Sequence, residues 1–213
     1  MHFRDRSEAG RLLAARLGHL AGAEPVVLAL PRGGVPVAAE IAAELKAPLD
    51  VIVVRKVGVP YRPELAAGAV GEDGVTVRNM PVLHEAGLSW EDLHDTVERE
   101  RAEVRRRAEA LRVDRPAADL ADRTVIIVDD GVATGSTVVA AIRVVRRLGA
   151  RHTVLAIPVA PADVAEKLTG LADEVVCLHA PVPFQAVGQW FRNFRQLTDE
   201  EVRAFLRSHD AHA

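Results

Sequence analysis

The sequence predicts an α/β fold, a mostly parallel open sheet with helices on both faces. Short runs of β-branched apolar residues alternate with longer stretches of helical spacing, which is the pattern of β-α-β units. The short runs are apolar throughout rather than at every second position, as in strands that are buried on both faces. A chain of 213 residues, 49% of them hydrophobic, is long enough to bury one such core. We therefore expect a single domain over 1–213, with its core at about 23–180.

The N-terminal segment is expected to begin with a packing helix. Asp5 is placed to cap this helix. Apolar residues then recur at helical spacing: Ala9, Leu12, Leu13, Leu17 and Leu20. A buried strand at 25–30 follows, then the turn Pro31-Arg32-Gly33-Gly34, and then a helix that Pro36 opens. Adjacent glycines allow close backbone approach, so this turn is either an anion-binding loop or an ordinary strand-to-helix turn with a surface arginine.

A strand at 49–54 leads into a segment without clear periodicity. Arg55 and Lys56 end this strand, and residues 57–75 contain glycines, prolines and the sole tyrosine, Tyr61. A long irregular segment inside a compact domain is typical of a functional lid or of disorder. Residues 64–70 are suited to a short strand pair within it. The two basic residues are either the cationic entry of a site or a solvated strand end.

Residues 89–113 predict a long surface helix, which Ser89 begins and Asp92 helps to cap. A narrow apolar stripe runs along it: Trp90, Leu93, Val97, Val104, Ala108 and Leu111. Seven arginines and five acids lie within 98–115, so the charges nearly cancel and an ion-paired, solvated helix is favoured. An RNA-binding arm is disfavoured because aromatic residues are not interleaved with the basic ones. A coiled-coil-like dimer contact stays open.

The most informative stretch runs from Val125 to Thr137. Four β-branched apolar residues predict a central strand, and Asp129 and Asp130 follow at its carboxyl end. A turn of small residues leads into a helix at 137–148, which Gly149 closes. Loops at this end of an open parallel sheet bind ligands. Backbone amides at the start of the helix are suited to an anion.

The two aspartates restrict what the anion can be. A carboxylate and a phosphate about 6 Å apart repel by about 3 kcal/mol at an effective dielectric constant near 20. The aspartates are therefore expected to meet hydroxyl groups or a metal while the amides meet the phosphate, which is the layout of a ribose 5-phosphate. A phosphoacceptor or Mg²⁺-binding α/β protein, or a plain helix cap, is the alternative. No lysine follows Gly135, so the turn is not a Walker-type loop.

This stretch resembles the phosphoribosyl-pyrophosphate (PRPP) motif of type I phosphoribosyltransferases: hydrophobic residues, two acids, a short variable stretch and Thr-Gly-Ser-Thr. The resemblance implies that Asp129 and Asp130 contact the ribose hydroxyls, and bind Mg²⁺ indirectly through those hydroxyls or water. It also implies which residues surround the 5′-phosphate: Ala133, Thr134, Gly135, Ser136 and Thr137.

The turn at 31–34 is similar to the pyrophosphate loop of the same family, which often contains a cis peptide before the basic residue. The resemblance implies such a bond between Pro31 and Arg32, and a flexible lid that closes at 57–75. It assigns pyrophosphate to one set of residues: Arg32, Gly33, Gly34, Arg55 and Lys56. The implied catalytic residues are Asp129, Asp130, Arg32 and Lys56.

The C-terminal third adds strands at 153–159 and 174–178, with a helix at 161–168 between them, and a final helix that Thr198 and Glu201 cap. Aromatic residues then crowd into eleven positions: Phe184, Trp190, Phe191 and Phe194. Stacking on an aromatic ring stabilises a bound base by about 1–3 kcal/mol. The alternative is that these rings pack a short subdomain onto the core.

The segment 181–213 is similar to the acceptor hood of the hypoxanthine-guanine branch, with Phe184 and Gly188 at matching positions. The resemblance implies a small C-terminal hood and base contacts from Phe184, Trp190 and Phe191. Ala133 departs from that branch, which carries an acid there, and matches the adenine branch instead. The acceptor base and its general base therefore stay open.

The charge and hydropathy of the whole chain argue against a nucleic-acid-binding protein and against a membrane protein. A net charge of −3 and a pI near 6.2 give no nucleic-acid footprint, and no apolar run approaches the length of a membrane span. The single Cys177 and the lack of a signal peptide fit the cytoplasm. We expect an enzyme that transfers the phosphoribosyl group of PRPP to a purine-like base with Mg²⁺. A PRPP- or nucleotide-sensing regulator is the alternative, a receiver-type signalling domain is a third, and a homodimer would be common in the family.

Overall fold

The computed structural model describes residues 1–113 and 115–211, and at its centre is a five-stranded parallel sheet. The strands are β1 (Val26–Ala29), β2 (Leu49–Val51), β6 (Thr124–Val128), β7 (His152–Val159) and β8 (Glu174–His179). Their spatial order is β2-β1-β6-β7-β8, and every neighbouring pair is parallel. The continuous apolar runs predicted these strands because both faces of the sheet are covered.

Helices lie on both faces of this sheet. They are α1 (Arg6–Leu17), α2 (Gly34–Leu45), α3 (Met80–Ala86), α4 (His94–Arg112), α5 (Ser136–Arg147), α6 (Ala162–Thr169) and α7 (Asp199–Asp210). Val27 and Ile126 pack on the side of α1, α2 and α7, whereas Leu28 and Ile127 pack on the side of α5 and α6. The predicted fold class, an open α/β sheet covered on both faces, is confirmed.

The strand order reverses between β1 and β6. The chain leaves β1 through α2 to reach β2 on one side, and it leaves β6 through α5 to reach β7 on the other. The two strands pair in register, with Ala29 opposite Val128, and the Leu30 amide donates to the Val128 carbonyl at 2.8 Å. The loops that follow β1 and β6 therefore start side by side, at the switch point where open α/β sheets bind ligands.

The first helix follows the prediction with one exception. Asp5 caps α1 by accepting a hydrogen bond from the Glu8 amide at 2.8 Å, as predicted. Leu12 was predicted on the packing face, but it is 38% exposed and lies away from the core. The next helix, α2, begins at Gly34 rather than Pro36, which lies inside the first turn, where the missing proline amide has no partner to lose.

The segment predicted as an irregular lid is folded as a second, antiparallel sheet. Its strands are β3 (Arg55–Val59), β4 (Arg62–Val70) and β5 (Thr76–Arg78), paired in the order β3-β4-β5. The strand predicted at 49–54 is present but ends earlier than predicted, because β2 ends at Val51 and Arg55 and Lys56 begin β3. Residues 62–70 form one strand rather than a short pair. Closure of this hairpin over a ligand stays a prediction.

A glycine explains why the second sheet left little signal in the sequence. A Cβ at Gly68 would lie 2.5 Å from a ring carbon of Trp90, so a bare backbone is needed for close packing. Val57 and Ala67 are buried beside it. Glycines that suggested flexibility in the sequence therefore serve contact in the structure.

The long helix α4 is shorter than predicted, and the predicted capping pair lies in the turn before it rather than at its own N-cap, which is Leu93. A 3₁₀ turn at Glu91–Leu93 precedes it. Ser89 donates to the Asp92 carboxylate at 2.8 Å, and the Asp92 amide donates back to the Ser89 hydroxyl at 3.2 Å. All six residues of the predicted apolar stripe are buried. The prediction of an amphipathic helix is confirmed.

The C-terminal segment wraps back onto the N-terminus. Phe3 forms an isolated parallel bridge with Phe191, and its amide donates to the Trp190 carbonyl at 2.8 Å. The predicted capping box of α7 is present, since the Glu201 amide donates to Thr198 Oγ1 at 3.2 Å and the Thr198 amide donates to Glu201 at 2.9 Å. Within the described ranges, every helix is too short or too polar to cross a bilayer.

Candidate active site

The loops after β1 and β6 touch through glycines. A Cβ built on Gly33 would lie 2.5 Å from the Cγ of Asp130 and closer still to Oδ2. A Cβ on Gly34 would lie 2.5 Å from the Val128 carbonyl oxygen. Both glycines were predicted as anion ligands, and the structure adds a second reason for them: any larger residue would push against the other loop.

Asp129 and Asp130 lie together at the end of β6, as predicted. The Asp130 amide donates to Asp129 Oδ1 at 2.9 Å, and the Asp130 side chain is only 14% exposed. Burial, together with the neighbouring Asp130 charge, raises the pKa of Asp129 well above its ordinary value. Burial also raises the pKa of Asp130, while Arg6 pulls it the other way. A buried acidic pair of this kind is stabilised by a further hydroxyl donor or cation.

The raised pKa of Asp129 predicts that Asp129→Asn is more stable than the wild type when no ligand is bound. A carboxyl whose pKa is raised on folding favours the folded state below its unfolded pKa, and that contribution is lost as the pH rises through the folded pKa. The asparagine keeps an oxygen for the Asp130 amide but carries no charge. We expect the melting temperatures to match near about pH 4 and the variant to gain steadily up to about pH 8. Calorimetry at several pH values measures this.

The control for that experiment is Asp163→Asn, since Asp163 is an exposed aspartate of α6. Its melting temperature should follow the wild type at every pH. An Asp129→Asn variant that is less stable than the wild type at about pH 8 would contradict the role of burial at this position.

The turn predicted to hold a phosphate leads directly into α5. Gly135 caps the helix with a positive φ of 80°, a conformation that glycine adopts without strain. Thr134 and Thr137 are exposed at this end, and the hydroxyls of Thr134 and Ser136 lie 3.3 Å apart. Small side chains and the first amides of a twelve-residue helix therefore face outward next to the aspartates.

Arg32 lies at the candidate site, but its guanidinium is held by the C-terminal segment. The peptide between Pro31 and Arg32 is cis, as the family resemblance implied. Arg32 Nε forms an ion pair with Asp199 at 2.8 Å, and Nη1 donates to the Leu197 carbonyl at 2.9 Å. A pyrophosphate contact from Arg32 stays a prediction, and it requires this side chain to exchange Asp199 for the ligand.

A half-open cavity of about 700 Å³ joins the three predicted anion-binding segments. Its walls include Pro31 from the first loop, Arg55 and Lys56 from β3, and Thr137 from the start of α5. The walls also include Arg99 and Arg107 of α4, which the sequence assigned to a solvated face. The sequence did not distinguish the arginines of α4 that line the cavity from those that face solvent, because a sum of charges does not show which face each arginine occupies.

An acid on α4 orders the cations of this cavity. Glu100 is nearly buried, and its carboxylate pairs with Arg55 Nε at 2.8 Å and with Arg99 at 3.4 Å. Arg107 pairs with Glu103 at 2.6 Å. Long flexible side chains are thereby held at the cavity wall, which lowers the conformational entropy that a polyanionic ligand would have to remove.

The three hood residues predicted to contact a base differ in exposure. Phe191 is only 6% exposed, and its ring centre lies 5.2 Å from that of Phe3, so it belongs to the core rather than to a base site. Trp190 and Phe184 are partly exposed. The centre of the Trp190 ring lies 5.2 Å from that of His2 and 4.7 Å from that of His179. Base contacts from Phe184 and Trp190 stay predictions.

Sequence reasoning missed Arg6, which contacts Asp130, and Phe194, which contacts Arg6. Arg6 Nε and Nη2 contact Asp130 Oδ2 at 2.8 and 2.7 Å. The Arg6 guanidinium carbon also lies 4.0 Å from the centre of the Phe194 ring. Phe194 belongs to the aromatic cluster that the sequence singled out, although no role was assigned to it. Arg6 carries no local signal, because 124 positions separate it from Asp130.

Comparisons with known proteins give a consistent result. The model of the phosphoribosyl transferase domain matches residues 6–188. A Mycobacterium tuberculosis protein (strains CDC 1551 and H37Rv), whose name provisionally calls it a phosphoribosyl transferase, is 54% identical over 209 residues. That match covers 97% of this chain but 47% of the relative, so the chain spans about half the length of its curated relatives.

A solved structure is similar over the whole length. The crystal structure of TT1426 from Thermus thermophilus superposes with a TM-score of 0.91 at 47% sequence identity. The match covers 98% of this chain and 99% of that one. The fold described above is therefore shared by a protein of nearly the same extent.

Proposed function

The chain belongs to the phosphoribosyl transferase domain family, and we propose that it transfers the 5-phosphoribosyl group of PRPP to a nitrogenous, purine-like base with release of pyrophosphate. One observation carries the proposal. The loop at 31–34 lies against the buried acidic pair while the N-terminus of α5 opens beside the same pair. Carboxylates for a diol, amides for a phosphate and a cationic cavity for pyrophosphate thus share one end of the sheet.

The layout assigns each part of PRPP to a different part of the site. Asp129 and Asp130 accept hydrogen bonds from the ribose hydroxyls, and the turn at 133–137 binds the 5′-phosphate. Pyrophosphate lies along Gly33 and Gly34 and in the cavity, within reach of its cations: Arg55, Lys56, Arg99 and Arg107. Gly33 lies against Asp130, so the pyrophosphate end is close to a carboxylate, and the cavity cations offset that repulsion.

Catalysis in this proposal is chiefly positioning and charge stabilisation. The bond between ribose C1 and the pyrophosphate oxygen breaks early, and its electron pair leaves with pyrophosphate. The acceptor nitrogen then forms the new bond to C1 and gives up its proton to solvent. The cavity cations stabilise the departing negative charge. Closure of the β3–β4 hairpin over the cavity would exclude water, which otherwise hydrolyses the activated ribose.

The acidic pair fits Mg²⁺ carried by the substrate. Among the described residues, Arg6 is the cation that lowers the pKa of these two buried carboxyls, so they are suited to a further positive charge. Mg²⁺ prefers oxygen ligands and keeps waters alongside one or two carboxylates and the substrate phosphates. When bound, it would neutralise charge on the leaving pyrophosphate. Asp129 and Asp130 would hold it indirectly, through ribose hydroxyls or water.

We further propose that the protein works in the cytoplasm on small-molecule substrates. Its single cysteine, Cys177, is a free thiol, which is typical of a reducing compartment. The homodimer that the family resemblance suggested stays a prediction. Sedimentation of the purified chain would test it.

The proposed function is tested by pyrophosphate release from PRPP and Mg²⁺ with a panel of bases. We expect Asp130→Asn to keep the fold and to lower turnover about tenfold or more, because an asparagine presents one acceptor oxygen and no charge to the diol. Asp163→Asn serves as the matched control on an exposed aspartate and should turn over like the wild type. Full activity of Asp130→Asn with an unchanged melting temperature would remove Asp130 from the mechanism.

The same assay distinguishes the transferase from the alternative, a PRPP- or nucleotide-sensing regulator. Phe191, one of the three hood residues predicted to contact a base, is buried against Phe3, and this favours keeping the alternative in the test. If calorimetry shows that PRPP binds but no base in the panel causes pyrophosphate to be released from it, the regulator is supported. Release with one base would support the transferase and identify the acceptor.

A further inference from the structure

Arg6 joins three parts of the site that are far apart in the sequence. It lies in the first turn of α1, and its side chain is only 11% exposed. Its guanidinium pairs with Asp130 Oδ2, donates from Nη1 to the Arg195 carbonyl at 2.9 Å, and stacks on Phe194. A salt bridge this well enclosed, with a ring on one face, holds its geometry more tightly than a surface pair does.

The two oxygens of Asp130 are used differently. Both Arg6 contacts go to Oδ2, and Oδ1 accepts no hydrogen bond from any other described residue. The guanidinium therefore anchors one oxygen of the carboxylate and leaves the other for a ligand.

We infer that Arg6 is a positioning residue, which aims Asp130 at the ribose hydroxyls and, through Phe194 and the Arg195 carbonyl, holds the hood in register with the ribose site. The first half of this inference rests on the proposed function, since it needs the diol of PRPP. The second half concerns the ligand-free protein and can be measured without a substrate.

The test is calorimetric binding of PRPP with Mg²⁺ to Arg6→Gln, Arg6→Lys and the wild type. We expect Arg6→Gln to weaken binding about tenfold, because Asp130 loses the guanidinium that anchors its Oδ2. Arg6→Lys restores a cation beside that oxygen and should recover most of the affinity.

The matched control is Arg11→Gln, on the same helix. Arg11 pairs with Glu40 at the surface, 3.0 Å away, and its variant should bind PRPP like the wild type. A deficit in Arg6→Gln that lysine does not recover would overturn the inference, because a merely structural role predicts that result. Wild-type affinity in Arg6→Gln would overturn it while leaving the proposed function standing.

A second measurement uses the ligand-free protein and is independent of PRPP. Amide hydrogen exchange of residues 191–197 should be several-fold faster in Arg6→Gln than in Arg11→Gln, since the hood loses its stacking partner and the donor to Arg195. Unchanged exchange would overturn the link to the hood. A wild-type protein that fails to bind PRPP would overturn the proposed function and the diol half of the inference together.

Discussion

Arg112→Met is expected to lower the free energy of unfolding by about 3–5 kcal/mol, the largest stability effect that the structure predicts. Arg112 lies at the end of α4 with its side chain 10% exposed. Its Nε lies 3.0 Å from each oxygen of Asp50, Nη2 donates to the Val51 carbonyl at 2.6 Å, and Nη1 pairs with Glu72. Methionine fills a similar volume but leaves two buried carboxyls without their shared cation.

The pH dependence of this loss follows from Glu72. Burial raises the pKa of Glu72 above its ordinary value even though Arg112 opposes the rise. Without Arg112 the pKa rises further, so the folded variant takes up a proton and avoids the charge at acidic pH. Stability that depends on protonation is lost as the pH rises. The deficit of Arg112→Met should therefore widen from about pH 5 to about pH 8.

Urea denaturation of Arg112→Met measures this effect, with Arg105→Met as the control. Arg105 is an exposed arginine of the same helix, and its replacement should change stability by no more than about 0.5 kcal/mol. Equal losses of unfolding free energy in the two variants would show that the fold tolerates Asp50 and Glu72 without their shared cation. The stabilising role assigned to Arg112 would then be wrong.

The burial and the partners of Arg112 could not be predicted from the sequence. Its charge was counted within a helix whose acids and bases nearly cancel, and such a count does not distinguish a solvated arginine from a buried one. A signal was present at the other end of the contact. Asp50 interrupts an otherwise apolar strand, and an acid there needs a partner. The identity of that partner, 62 positions away, required the fold.

Features that depend on neighbouring residues were predicted well. The strands of the parallel sheet were found because continuous apolar runs record burial on both faces. The caps at Asp5 and Thr198 were found because each pairs with a residue three positions away. The end of β6, its two acids and the small-residue turn were found for the same reason, since a single continuous stretch carries them.

Features that depend on distant residues were predicted poorly. The hood rings pack on Phe3 because the C-terminal segment forms a bridge with the N-terminus, 188 residues away along the sequence (191 − 3). The second sheet was predicted as an irregular segment because its glycines and prolines obscure the alternation of a half-buried strand. Arg6 shares a site with Asp130 only after both helical layers are assembled. In each case the missing information was a contact, and composition does not encode contacts.

Gly33→Ala is expected to reduce turnover about a hundredfold or more, the largest effect on activity that a single methyl group should cause here. The φ of Gly33 is −62°, a value that alanine adopts freely, so the backbone itself accepts the change. The added methyl would overlap the Asp130 carboxyl, 2.5 Å from Cγ, and must displace it. This displacement has two effects at once: it separates Asp130 from Arg6, and it moves the carboxyl away from the ribose hydroxyls.

Gly22→Ala is the matched control, because a Cβ at Gly22 meets nothing within 4 Å. It should leave turnover, PRPP affinity and melting temperature unchanged. Gly33→Ala should retain its fold in circular dichroism while losing PRPP affinity, because the clash falls on a side chain rather than on the backbone of the core. Wild-type turnover in Gly33→Ala would mean that Asp130 can move aside without consequence. A diol held by that carboxylate, and with it the proposed placement of PRPP, would then be wrong.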